Sequence, residues 1–310
     1  MNALALPSKG IQPRGGWAPC SDLSLERNDP LAGTGGFGER WFLVEIDGSW
    51  GRHAFLNSRL DAALARDLVN RIEGEGMRPL AIRRINQRAD ARRAQTTWRW
   101  AIIDTRPGRE STRWGSVRDT ADLMDVPLDG STGIPSDEPV ICVCTHARHD
   151  QCCAVKGRPV ATVMAGSFPD ETWECSHLGG DRFASTLMIF PAGLHYGRVP
   201  AEEATGLVAR YRDGLVDPRF FRGRSSSPNV VQAAESFARA ELHDDRIDAF
   251  AHRGTVPERG GWRVIFDHDD SEVAVLVAAR ASAPLLTTCE ATLALPVREF
   301  ERVGVSVSPR

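Results

Sequence analysis

The chain has 310 residues, a net charge of −3 from 38 basic and 41 acidic side chains, and 42% hydrophobic residues. That length holds a sizeable core in one large or two ordinary domains, and the balanced charge argues against a nucleic-acid or anionic-membrane partner. No segment has the form of a secretory leader or the ~20 apolar residues of a membrane helix, so the expected compartment is the cytoplasm, where clustered cysteines are ligands or reactive thiols more often than disulfides.

Residues 1–36 are rich in Gly and Pro without sustained periodicity and read as a mobile or loosely packed arm. Within them, residues 33–38 satisfy G-x-G-x-x-G, but the strand-like run 41–46 follows the glycines instead of preceding them. A flexible loop is therefore favoured over the dinucleotide-binding arrangement. Leu60, Leu64, Leu68, Val69 and Ile72 recur at helical spacing, with Asp61 in the first turn and Gly74 and Gly76 behind. Strand-like runs follow at 79–82 and 97–103. The arginines around and between them (Arg83, Arg84, Arg88, Arg92, Arg93, Arg99) read as a solvated face. A short helix at 120–128 and a turn-rich linker at 129–137 close a first unit spanning 37–137.

The second unit, 138–214, repeats the order: strand 140–143, helix 154–165, strand 173–175, strand 187–190 and a return strand ending near Val199. This β-α-β-β order predicts an α/β fold of the thioredoxin-like kind, a mixed sheet with flanking helices, in two such modules of which the first is degenerate. Residues 215–310 form a helical and β-rich C-terminal extension. A helix is expected at 201–213, at the end of the second unit, and in the extension a helix at 229–243, then strands at 262–266, 273–277 and 291–295 with one wet face.

Five of the seven cysteines (Cys142, Cys144, Cys152, Cys153, Cys175) lie between 142 and 175. Cys144 and Cys153 bracket a polar loop after a strand, where the following helix N-terminus favours thiolate. His177 and Asp181 offer further donors across Leu178-Gly179-Gly180, and these glycines let backbone N–H groups approach a bound cluster. Cys142 alternates with Cys144 on a buried strand and reads as a core residue. Cys20 and Cys289 lie outside the cluster and need no functional role. The residues leave three readings open: an iron–sulfur centre, a zinc-stabilised interaction module, or a thiol-based redox enzyme without a C-x-x-C.

The runs 144–153, 175–184 and 191–199 resemble the sucrase/ferredoxin-like family, a branch of thioredoxin-like [2Fe–2S] ferredoxins, with looser likeness at 41–46, 50–52, 104–109 and 222–225. The resemblance implies a [2Fe–2S] cluster, a redox partner protein, and ligands from C-x8-C and H-x3-H pairs. Cys144, Cys153 and His177 match, whereas the second histidine position holds Asp181. A carboxylate is a poor ligand for such a cluster, so Cys175 is narrowly preferred as the fourth, with His146, Gly179 and Gly180 as groups lining it. An electron carrier is expected more than an enzyme. No pair of carboxylates fit for glycoside hydrolysis is identified.

Overall fold

The computed structural model describes residues 19–87 and 94–310. Helix α1 (Cys20–Glu26) precedes β1 (Arg40–Glu45), α2 (Ala62–Gly74), β2 (Met77–Arg83), β3 (Trp98–Asp104), β4 (Ser111–Val117) and the short β5 (Ile134–Ser136). Then come β6 (Val140–Cys144), α3 (Gln151–Ser167), β7 (Thr172–Cys175), β8 (Leu187–Phe190), β9 (Leu194–Tyr196), α4 (Ala204–Arg212), β10 (Phe221–Arg224) and α5 (Asn229–Leu242). The chain ends in β11 (Ala251–Glu258), β12 (Gly261–His268), β13 (Ser271–Ala281) and β14 (Arg298–Pro309).

Ten strands form one mixed sheet in the order β10-β9-β8-β6-β7-β2-β1-β3-β4-β5, and the last four form a separate antiparallel sheet. The same connection occurs twice in the large sheet. In each half a strand is joined through a helix to a parallel neighbour (β1-α2-β2 and β6-α3-β7), then pairs on its other side with an antiparallel strand (β3 and β8). The halves meet where β2 and β7 pair antiparallel, Ile82 opposite Cys175 and Arg83 opposite Glu174. The boundary expected near residue 137 thus falls between two strands of a continuous sheet, and β10, from the expected extension, is an edge strand of that sheet.

Alternation along the strands explains the layers. Phe42 and Val44 of β1 pack with Ala65, Leu68 and Ile72 of α2, while Ile141 and Val143 of β6 pack with Val160, Ala161 and Met164 of α3. The intervening residues Trp41, Leu43, Cys142 and Cys144 join a third apolar cluster that runs across both halves. Both helices start on an aspartate. Asp61 accepts from the N–H groups of Ala63 and Leu64, and Asp150 accepts from that of Cys152, each supplying an acceptor for otherwise unpaired first-turn donors.

Several expectations change in three dimensions. The described part of the arm, residues 19–36, is packed: it contains α1, and the N–H groups of Thr34 and Gly35 both donate to the Arg222 carbonyl. The glycine loop 33–38 is tightly enclosed, since a Cβ on Gly33 would lie 2.7 Å from the Asn229 carbonyl oxygen. Arg83 is not solvated; it is buried and paired with Glu174 at 2.9 Å. Arg84 lies 3.5 Å over the Trp173 ring and Arg99 4.7 Å over that of Trp114. Arg88, Arg92 and Arg93 lie outside the described residues.

The expected strand 291–295 belongs instead to a loop between β13 and β14, in which Leu295 forms an isolated bridge with Leu285. The physical reason is that β13 already has β12 on one side and β14 on the other. Alternate residues Val273, Val275 and Val277 of β13 are buried under α5, which gives this sheet its one dry face. Among the described residues no helix is long and apolar enough to cross a membrane.

Candidate metal centre

Three segments converge at the end of β6. The strand delivers Cys144, the first turn of α3 delivers Cys153, and the loop after β7 delivers His177. The side-chain donor atoms of these three residues lie within 4.8 Å of one another. Close approach of helix to strand is possible because Gly157 has no side chain: a Cβ there would sit 2.1 Å from the Cys144 carbonyl oxygen. After His177, Gly179 and Gly180 take left-handed φ values of +89° and +79°, a conformation glycine adopts without steric cost. This turn sends the chain into a single 3₁₀ turn, Asp181–Phe183, and returns Asp181 to the group.

Asp181 is closely engaged there. Its Oδ1 accepts from the Cys153 thiol at 3.1 Å and lies 2.9 Å from His177 Nδ1, a close ion-pair contact without the alignment of a hydrogen bond. His149 stacks on His177 with ring centroids 3.7 Å apart, and its Nε2 lies 3.8 Å from Asp181 Oδ2. Cys144, Cys153 and Asp181 are buried, whereas the His177 and His149 side chains remain 29% and 33% exposed. The centre therefore has a thiol floor and a histidine edge open to solvent.

The electrostatics favour an anionic floor. Hydrogen bonding from Cys153 and the imidazolium of His177 hold Cys144 below the usual thiol range against the effect of burial. The Cys153 thiol is pushed up by its bond to Cys144 and by its own burial. Burial opposes charge on His177, but Asp181 and Cys144 outweigh it and raise this histidine to about 10.

Arg222 supplies a second positive group that sequence reasoning did not single out. Fully buried, it donates from Nη1 to the Gly179 carbonyl at 3.0 Å and from Nε to Thr34 Oγ1 at 3.1 Å. Burial and then the nearby Arg182 lower it to about 10, opposed by Asp181, Cys153 and Cys144. A Cβ on Gly180 would lie 2.2 Å from Arg222 Nη2, so this glycine makes room for the guanidinium. The signal available in the sequence was the Arg222-Gly-Arg-Ser run; nothing in it marked burial.

Other expected residues are placed elsewhere. Cys175 lies beside Cys144 in the β6–β7 register, but it is buried, which together with the neighbouring Cys142 pushes its thiol up, and it lies outside the Cys144–Cys153–His177 group. His146 donates from Nε2 to the Gly51 carbonyl at 2.7 Å and stands edge-on to Trp50, behind His149. The donors at the centre are thus Cys144, Cys153 and His177, with Asp181 in contact with both Cys153 and His177, an arrangement compatible with metal binding.

A family model described as Suc_Fer-like, sucrase/ferredoxin-like, matches residues 31–223. No curated protein matches the chain. Among solved structures, a cysteine-to-serine variant of the thioredoxin-like [2Fe-2S] ferredoxin from Aquifex aeolicus matches at 17% identity, over 28% of this chain and 100% of that one, with a TM-score of 0.25. A score of that size carries nothing about the centre.

Proposed function

This chain belongs to the sucrase/ferredoxin-like family, and on that premise we propose that it is an electron carrier whose [2Fe–2S] cluster is held by Cys144, Cys153, His177 and Asp181. The observation that carries the reading is the convergence of two buried cysteines and a histidine, from three separate segments, within 4.8 Å. Three of the four donors fit, since thiolate and imidazole are the ligands such clusters take, and the Asp181 carboxylate is the departure. Asp181 rather than Cys175 completes the set because it already touches both Cys153 and His177.

When bound, the cluster supplies one-electron redox chemistry. The protein's own residues do the rest. Cys144 is poised as thiolate, Arg222 offsets negative charge from beneath, and the buried floor excludes water. Asp181 orients the His177 ring and can hold its proton. The partly exposed His149–His177 edge is where a redox partner protein docks, neither nucleic acid nor membrane being required.

The compactness of the donor group favours, as a second reading, a single zinc ion in a structural site. Anaerobic purification followed by metal analysis and visible spectroscopy separates the two. The electron carrier contains iron and acid-labile sulfide in equal amounts and shows bands that dithionite bleaches; a colourless protein with zinc at this centre overturns it. Asp181→Asn is expected to loosen the cluster about 10- to 100-fold, the cost of losing a weakly donating or orienting partner, and Cys175→Ala to spare it. The reverse result puts Cys175 on the iron.

A further inference from the structure

The two cysteines that the sequence leaves without a role meet in the folded chain. Cys20 opens α1, Cys289 sits in the loop between β13 and β14, and both reach Cys152 in the first turn of α3. The Sγ–Sγ separations are 3.7 Å for Cys20–Cys152, 3.1 Å for Cys152–Cys289 and 3.6 Å for Cys20–Cys289. Asp150 closes the group, with Oδ2 at 3.8 Å from Cys20 Sγ, and all four donor atoms lie within 4.8 Å of one another.

From this geometry we propose a second, independent metal centre in which Cys20, Cys152 and Cys289, with the carboxylate of Asp150, bind a single zinc ion. Four ligands around zinc form a tetrahedron, and a Zn–S distance near 2.3 Å sets an S···S edge of about 3.8 Å. Two of the three measured edges are already close to that value, and the third must open slightly. The donors are soft thiolates plus one carboxylate, a set zinc accepts.

The surroundings are those of a built site. Asp150 is held from both sides: its Oδ1 accepts from the Cys152 N–H at 2.8 Å and its Oδ2 from the Cys289 N–H at 2.7 Å. The Ser21 hydroxyl donates to Cys152 Sγ at 3.3 Å, fixing that sulfur as outer partners of metal ligands do. Cys20, Asp150 and Cys152 are buried, and Cys289 is partly exposed, which leaves the way in for the ion on the loop side. Binding replaces three S–H protons by Zn²⁺ and changes no oxidation state.

The adjacent pair Cys152-Cys153 serves both centres because consecutive residues on a helix point about 100° apart. Cys153 turns to Cys144 and Asp181, Cys152 to Cys20 and Cys289. The zinc would tie the N-terminal helix and the C-terminal loop to the helix that holds the first centre. This inference does not depend on which metal the first centre holds.

The test uses the full chain, reduced and stripped of metal, then titrated with Zn²⁺ in wild type, Cys20→Ser, Cys289→Ser and Cys144→Ser. The expected result is a zinc equivalent that survives in Cys144→Ser but binds at least about 100-fold more weakly in Cys20→Ser and Cys289→Ser, since removing a ligand costs at least as much as removing an outer partner. Alkylation of metal-free wild type, read by mass spectrometry, guards against unfolded variants: Zn²⁺ must slow labelling of Cys289. Zinc binding as tight as wild type in Cys20→Ser and Cys289→Ser, Cys289 labelling unaffected by Zn²⁺, or a Cys152–Cys289 disulfide in anaerobically prepared wild type overturns the proposal.

Discussion

The two halves of the large sheet share a connection order and differ in chemistry. In the first, the helix that follows β1 is capped by Asp61, and the third residue after the cap is Leu64; in the second, the cap is Asp150 and the third residue after it is Cys153. The strand leading to the first helix ends at Glu45, whereas its counterpart ends at Cys144. The path from strand to cap runs over residues 46–60 in one half and over 145–149 in the other. The comparison teaches that the fold provides a strand end facing a helix start in both halves, and that a few side chains on a short connection decide which becomes a centre.

The most direct way to break the contrast is to make the second half like the first. Cys153→Ala is expected to abolish the metal at the first centre while far-ultraviolet circular dichroism stays unchanged, because Asp150 still caps α3. Metal retained in stoichiometric amount in that variant would remove Cys153 from the ligand set.

A complementary change in the first half should cost stability and leave the centre alone. Leu68 is wholly buried between α2 and the sheet, so Leu68→Ala should lower unfolding free energy by about 2–5 kcal/mol. Urea unfolding and metal content are measured together. A loss of metal from the folded variant would show that the two halves are coupled more tightly than their shared β2–β7 junction requires.

The smallest effect concerns acid. The first half, residues 37–137, has one histidine, the exposed His53, while the second buries His195, whose Nε2 donates to the Gly36 carbonyl at 3.1 Å. Burial, and next the charge of Arg222, lowers His195 from 6.5 to about 3. The unfolded chain therefore binds a proton there that the folded chain refuses. Stability from this residue is complete above pH 6.5 and is lost as pH falls towards 3, by up to about 1.4 kcal/mol per pH unit. Denaturation midpoints between pH 7 and 5 should fall less steeply in His195→Gln than in wild type, and identical slopes would mean that another group governs the acid limb.

Much of this was readable from the chain. Periodicity marked α2 and α5, alternation marked β12 and β13, and the repeated β-α-β-β order was visible because strands and helices are written in local spacing. Cys144, Cys153 and His177 were singled out by resemblance to the family's C-x8-C and H-x3-H pairs, and the structure brings their donor atoms within 4.8 Å of one another. Only the tertiary structure decided the remainder. It left Cys175 outside the Cys144–Cys153–His177 group, drew Asp181 back through a left-handed glycine turn, buried Arg222 beneath that turn, and brought Cys20 and Cys289 together across most of the chain's length. Contacts between residues so far apart in sequence leave no periodic trace. They are set by which loop fills which gap once the sheets have formed, and that depends on the packing of the whole chain.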